Sequence, residues 1–363
     1  MIYPNIHIIS KNENIYFNRS FRYNTNHYSF LKDIIIKDDS IAVVVISQIV
    51  ENYKNVIKYL KNKNFKIVYF FIDDVFRLNL SRKTNDTFYD EIEIIKKIIK
   101  KLNLKSYKIF HCEITKEYGY SDLYLYNWLT LNKFNYKEIS YKFNYSASCF
   151  NNRSDYHRQL IGLLLCQKKN VFLTLNEHLC RTQIFNNNLF NIANLDEKIK
   201  KNLYLGIKYF KNEKNAINHL DKLNKKIKIL KPVYQNNELV YKNIKNSFVN
   251  IVTETTFISD YVYFSEKTFK PILCYRPFIM LAPAGSLKKL KEFGFKTFDE
   301  WWDESYDEEK DHILRFQKAY YEIENILSKS KYDLDQILLD MTETLIHNKK
   351  HIENFKKNLL PVF

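Results

Sequence analysis

Glycine is the first scarcity, with 5 in 363 residues beside 6 prolines. Neither G-x-G-x-x-G nor G-x-x-x-x-G-K-S/T occurs, so a glycine-lined phosphate cradle is excluded. Any phosphate bound here must be held by side chains and by helix N-termini, whose free N–H groups and dipole favour an anion. Cysteine is the second. Cys112, Cys149, Cys166, Cys180 and Cys274 are odd in number and show no C-x-x-C spacing, which argues against a disulfide framework and against a structural zinc site. They are expected to be small buried apolar residues in a reducing compartment. Long apolar runs are missing too. Ile41 to Val50 and Ile67 to Ile72 are the longest, far below the roughly 20 residues that span a bilayer. Met1-Ile2-Tyr3-Pro4 lacks the basic start of a secretion signal. A soluble, cytoplasmic chain without a membrane span is expected.

Arginine is also rare, 9 against 48 lysines, and the formal net charge is +16. Such an excess suits a polyanionic partner such as nucleic acid. It also suits an AT-rich genome, because the chain is crowded with Lys, Asn, Ile, Tyr and Phe, and the lysines are dispersed, as in "KIKILKPVY" and "NLKSYKIFH". Charge alone leaves both readings standing.

What is abundant is hydrophobic patterning, at 45% of residues, enough for two cores in a chain of this length. Asn5 to Ser10 reads as a strand, Ile41 to Ile46 and Phe65 to Ile72 as buried strands, and Tyr107 to Ile114 as another. Between them "TFYDEIEIIKKIIKKL" (87–102) places Ile92, Ile95, Ile98 and Ile99 on one face of a helix. The alternation restarts near 145 with "YSASCF", "SDYHRQLIGLLLCQ" and "VFLTL", then "SFVNIVTET" and "PFIML". Strand–helix alternation predicts a mainly parallel sheet covered on both faces. From Asp311 to Leu360 the pattern is nearly all helix. The domains expected are 1–142, 143–330 and a closing helical segment, 331–363.

Two stretches carry candidate chemistry. In "YFSEKTFKPILCYRPFIML" (263–281), Ser265 is placed to cap a helix, with Glu266 and Lys267 in its first turn and Lys270 four residues beyond Glu266 on the same face. Pro271 complicates that pattern, so the sequence leaves two starts open for the regular helix, after Ser265 or near Lys270. A carboxylate, two ammonium groups and free N–H donors at one loop end could serve a ribose diol and a diphosphate together. A solvated Glu–Lys pair at a helix start is the plain alternative. In "CFNNRSDYHRQLIGLLL", Asn151, Asn152, Arg153, a Ser154 cap and Arg158 open a second helix. Either arginine could take a diphosphate in bidentate fashion, or both could pair with Asp155 and other acids. The run "DEWWDESYDEEKD" (299–311) has irregular spacing and two tryptophans, and reads as helix caps and a solvated acidic face, not as a metal site.

These two stretches, with "FVNIVTETTFISDYVYFSEKTFKPILCYRPFIMLAPAGSLKKLKEFGFKTFDEWWDESYDE" around the first, resemble a glycosyltransferase-like family of phages and other viruses. More distantly they resemble the donor-binding half of the α-1,3-fucosyltransferases. The resemblance spans roughly 145–310. It implies an α/β fold of two Rossmann-like domains facing across a cleft (the GT-B arrangement), in the host cytoplasm if the chain is viral. It implies transfer of a sugar from a nucleotide diphosphate-sugar co-substrate, with no further cofactor, in a metal-independent, inverting reaction. Carried over by position, Arg158 would hold the diphosphate, Glu266 the ribose, Lys267 the phosphates, and Glu254 would face the donor sugar. Cys274-Tyr275-Arg276 stands where the family has Ala-Gly. A general base is expected from the first half: Asp74, after Asp73 at a strand end, with His111 and Glu113 as rivals. The acceptor is either a hydroxymethylated base in phage DNA or a surface glycan. The aromatic and basic loop 18–30 (Arg19, Phe21, Arg22, Tyr23, Tyr28) suits stacking on either. A non-catalytic nucleic-acid-binding protein on the same scaffold is the reading from another class.

Overall fold

A computed structural model of the protein describes residues 5–10, 13–16, 41–47, 57–58, 60–61, 67–72, 87–111, 125, 129, 136–151, 155–174, 192–217, 238–259 and 262–358. The chain divides into two compact units, 1–130 with 356–363, and 131–355.

The first unit holds strands β1 (Asn5–Ser10), β2 (Glu13–Tyr16), β3 (Ile41–Ser47), β4 (Ile67–Ile72) and β5 (Tyr107–His111), in the order β2-β1-β3-β4-β5. β3, β4 and β5 are parallel, with Val43 opposite Tyr69 and Phe70 opposite Ile109. β1 runs antiparallel to both its neighbours, β2 at the edge and β3, a pairing that the alternation of strands and helices does not announce. Helix α1 (Thr87–Leu102) turns Ile95 and Ile98 of the expected stripe fully inward, with Ile94 buried beside them and Ile99 only half-buried.

The second unit is built on four strands, β6 (Tyr145–Phe150), β7 (Val171–Thr174), β8 (Ser247–Thr253) and β9 (Phe278–Leu281). They are all parallel, in the order β7-β6-β8-β9. Every residue of β8 is buried, as expected for a parallel strand covered on both faces. Around the sheet lie α2 (Tyr156–Leu165), α3 (Glu197–Ile217), α4 (Glu238–Lys245), α5 (Glu266–Leu273), α6 (Ser286–Glu292), α7 (His312–Ser328), α8 (Lys331–Asp340) and α9 (Thr342–Asn358). α3 comes so close to α2 that a Cβ on Gly206 would stand 1.9 Å from the Leu163 carbonyl oxygen, so only glycine fits there.

The expected helical end is broken into three pieces by capping. Asp311 accepts from the N–H groups of Ile313 and Leu314 at the start of α7, and Ser330 and Asp333 exchange bonds in a capping box at the start of α8. In the acidic run, Asp307 accepts from Leu287 and Lys288 N–H at 2.9 and 3.0 Å, capping α6. Asp303, Glu304, Asp307, Glu309 and Asp311 accept from backbone N–H groups while Asp299 pairs with Lys291, and Glu304 and Asp307 are buried, so the expected solvated face holds only in part. α9 brings Phe355 onto Phe269 and Phe295, each with ring centroids 5.1 Å apart. It also donates from Lys349 Nζ to the Leu273 carbonyl at the end of α5.

All three described arginines are buried and spend their guanidinium groups on main-chain carbonyls. Arg276, with no exposed surface, donates to Lys245 O (3.0 and 2.5 Å), Ser140 O (2.6 Å) and Lys142 O (3.2 Å). Arg315 donates to Ala282, Glu309, Lys310 and Phe257 carbonyls. Burial lowers both to about 10, so both stay charged at neutral pH. Lysine offers no such fork, which accounts for arginine at these places in a lysine-rich chain.

Candidate functional site

In the second unit, β6 is followed by α2 and then β7 on one side, while its other neighbour, β8, is followed by α5 and then β9. The chain therefore leaves in opposite directions from two adjacent parallel strands. In open α/β sheets the crevice beyond the carboxyl ends of such strands is where ligands bind. Both stretches singled out in the sequence fall there. One follows β6 and opens α2; the other follows β8 and opens α5.

Glu254, the first residue after β8, is fully buried. Its Oε1 accepts from Ser265 N–H (3.0 Å) and from the Thr268 hydroxyl (2.6 Å). Its Oε2 accepts from Thr255 N–H (3.0 Å) and from the Ser265 hydroxyl (2.6 Å). Four donors saturate this carboxylate. It faces into the protein and stitches the end of β8 to the first turn of α5, and it would face a sugar, as the resemblance implied, only by leaving these four donors.

From the other side, Arg158 and His157 grip the same corner. Arg158 donates to the Thr253 and Glu254 carbonyls (3.2 and 2.8 Å) and pairs with Asp155 at 2.8 Å. Its side chain is 2% exposed, too enclosed to take a diphosphate without leaving these partners. Asp155, not Ser154, is the N-cap of α2, and it makes no side-chain capping bond because its carboxylate is turned to Arg158. His157 donates from Nε2 to the Glu254 carbonyl at 2.9 Å and stacks on Phe257, ring centroids 5.2 Å apart. Burial first, then the positive charge of Arg158, pushes its pKa well below the usual histidine range, so the ring is neutral. At the end of β6, Asn151 accepts from the Thr253 hydroxyl at 2.9 Å, tying β6 to β8.

α5 begins where Ser265 was expected to cap it. The Ser265 hydroxyl accepts from Lys267 N–H, and Glu266 opens the helix. The regular helix does not wait until Lys270: Pro271 sits inside it. Glu266 is 3% exposed and Lys270 7%. Glu266 Oε1 is 3.4 Å from both Lys267 Nζ and Lys270 Nζ. Burial pushes the Glu266 carboxyl up, but the two ammonium groups together overcome it and hold it at about 2. Burial also lowers Lys270 against the pull of Glu266. Glu266 is thereby committed to the lysines and would meet a ribose only by moving.

Lys267 differs. Its side chain is 26% exposed against 9% for Lys270, and its ammonium rests on Ser265 Oγ (3.1 Å) and Thr255 Oγ1 (3.4 Å). It is the one cation of the described cluster that reaches solvent. The described charges balance, with Arg158, Lys267 and Lys270 against Asp155, Glu254 and Glu266. An incoming anion would therefore depend on helix N-termini and on Lys267.

Arg153, Asp73, Asp74 and Glu113 lie outside the described residues, as does the loop 18–30; His111 closes β5 in register with Ile72. His157 and Thr268 are the members of this corner whose roles the sequence did not disclose, and the second bond of Ser265, to the Glu254 carboxylate, was equally hidden. Their partners are far away in the chain, and only the "YHR" placement of His157 beside Arg158 hinted at one of them. Cys149, Cys166 and Cys274 are buried free thiols. Burial pushes the thiols of Cys149 and Cys274 up to about 12, which leaves both without nucleophilic character at neutral pH.

No protein-family model matches the chain, and no curated protein matches it. Among solved structures, it is similar to a trehalose-6-phosphate synthase (12% identity, TM-score 0.34, covering 86% of this chain and 63% of that one). It is also similar to a UDP-forming α,α-trehalose-phosphate synthase from Burkholderia xenovorans (10%, 0.32, 85% and 64%). A third is the N-terminal domain of a trehalose-6-phosphate phosphatase from Candida albicans (9%, 0.31, 87% and 64%). The chain spans just under two thirds of the length of each.

Proposed function

We propose that the protein is a glycosyltransferase and that the second unit binds the nucleoside diphosphate of its sugar donor at the β6/β8 crevice. The observation that carries this reading is the convergence of the α2 and α5 N-termini on one topological switch point, with the part-exposed side chain of Lys267 in the first turn of α5. The positive end of a helix dipole and a cation favour a diphosphate where glycine loops are lacking. The resemblance of 145–310 to donor-binding halves supports the same assignment.

In this reading Lys267 touches the phosphates and helps carry the charge that develops on the departing diphosphate. Glu254, Arg158 and His157 are positioning residues that fix the corner, and Glu266 holds Lys267 in place. The acceptor in this reading is a hydroxyl compound.

Thermal melts with UDP, GDP, ADP and dTDP test it, on wild type and on Lys267→Gln. A ligand at 100 times its dissociation constant stabilises by about 2.7 kcal/mol. One nucleotide should raise the midpoint of the wild type and leave that of the variant unmoved. No shift with any of the four, or the same shift in the variant, overturns the assignment.

A further inference from the structure

We propose that the outer face of α3 is a docking surface for an anionic lipid bilayer, independent of the donor site. The helix is fixed from within. Ile199 and Leu203 are buried, Gly206 abuts the Leu163 carbonyl, and that same Gly206 carbonyl accepts from the Cys166 thiol. What remains outside is consistent over three turns. Lys198, Lys201, Tyr204, Leu205 and Lys208 are all exposed, and successive turns of 3.6 residues bring them onto one arc. Tyr204 is 68% and Leu205 41% exposed, two adjacent apolar side chains flanked by Lys201 and Lys208, while Lys198 rests its ammonium over the Tyr321 ring, 5.2 Å from the centroid. The acid on this arc, Glu197, is paired with Lys200 at 2.8 Å.

Lysines around an aromatic and an aliphatic side chain on a rigid helix fit a surface that is negative at its rim and apolar just beneath. An anionic headgroup layer has that order. Ammonium groups meet phosphates, tyrosine sits at the interface with its hydroxyl in water, and leucine goes below. A nucleic acid would use the lysines and could stack on the tyrosine, but it offers Leu205 no apolar layer. The attachment is peripheral; among the described residues no helix is long and apolar enough to cross a membrane.

Flotation of the full chain with phosphatidylcholine vesicles, with and without phosphatidylglycerol, is the test. Wild type should float only with the anionic vesicles and be released by salt. Lys201→Gln with Lys208→Gln, and separately Tyr204→Ser with Leu205→Gln, should each lower the partition coefficient about tenfold or more. Both doubles should keep the wild-type melting midpoint, since none of the four side chains is buried. No flotation, equal flotation with uncharged vesicles, or undiminished flotation of the apolar double overturns the proposal. So does binding of a duplex oligonucleotide that only the lysine double weakens, without vesicle binding.

Discussion

Replacing Glu254 by glutamine separates a group that touches substrate from one that holds the fold. The carboxylate accepts four hydrogen bonds, and each oxygen receives one main-chain N–H and one hydroxyl. An amide supplies a single acceptor oxygen. The hydroxyls of Ser265 and Thr268 can rotate to accept from the new NH2, but an N–H cannot. Whichever way the amide turns, Thr255 N–H or Ser265 N–H is left facing a donor. An orphaned buried donor costs about 1–3 kcal/mol, and losing the charge weakens the surviving bonds by about 1 kcal/mol or more. Glu254→Gln should therefore destabilise the second unit by roughly 2–5 kcal/mol. At about 2–4 °C per kcal/mol for a domain of this size, the midpoint should fall by roughly 5–15 °C. Calorimetry and urea melts would measure this, with the urea slope unchanged. A midpoint within about 1 °C of wild type would refute the reasoning and return Glu254 to the candidates for direct sugar contact.

The acid limb of stability should carry the signature of Glu266. Its carboxyl is held at about 2 in the folded chain against an ordinary value near 4.5. Its contribution is thus present above about pH 4.5 and lost as pH falls toward 2. Urea midpoints should show the gap between wild type and Glu266→Gln, of order 3 kcal/mol at neutral pH, closing over that window; a gap constant with pH counts against the ion-pair account. Arg276→Lys keeps the charge but cannot reach Lys245, Ser140 and Lys142 carbonyls at once, and should cost about 2–4 kcal/mol in a denaturant melt. A loss under 0.5 kcal/mol, on the order of a neutral surface change, would mean the fork is dispensable. Gly206→Ala drives a methyl into the Leu163 carbonyl and should lower stability by about 3 kcal/mol or more; an unchanged melt would show that α3 can move off α2.

How much of this was legible in the sequence depends on how local each feature is. The Ser265 cap, the strands either side of it and the Asp311 cap of α7 follow from neighbours within a few residues, whereas the Asp307 cap of α6 bonds N–H groups 19 and 20 positions away. Pro271 leaves two helix starts open in the sequence, and the fold takes the earlier, with the five residues before the proline already helical. Roles set by distant partners were hidden. Glu254 and His157 are 97 positions apart, Arg276 and Ser140 136, and no local rule says whether a buried charge will meet a ligand or a carbonyl. The antiparallel β1 likewise depends on a pairing with β3, a strand more than thirty residues on, that strand propensity does not encode.

The carbonyl-gripping arginines carry a consequence for how this chain can change over generations. An ion pair constrains two side chains, and losing either leaves a charge stranded, so its partners tend to vary together. Arg276 constrains only itself. Its acceptors are main-chain oxygens of Ser140, Lys142 and Lys245, which every residue type possesses. Those three positions are free to drift toward whatever the codon bias favours without loosening the knot. Comparison of relatives would then find an invariant arginine with no covarying companion, easily mistaken for a residue kept for its chemistry with a substrate.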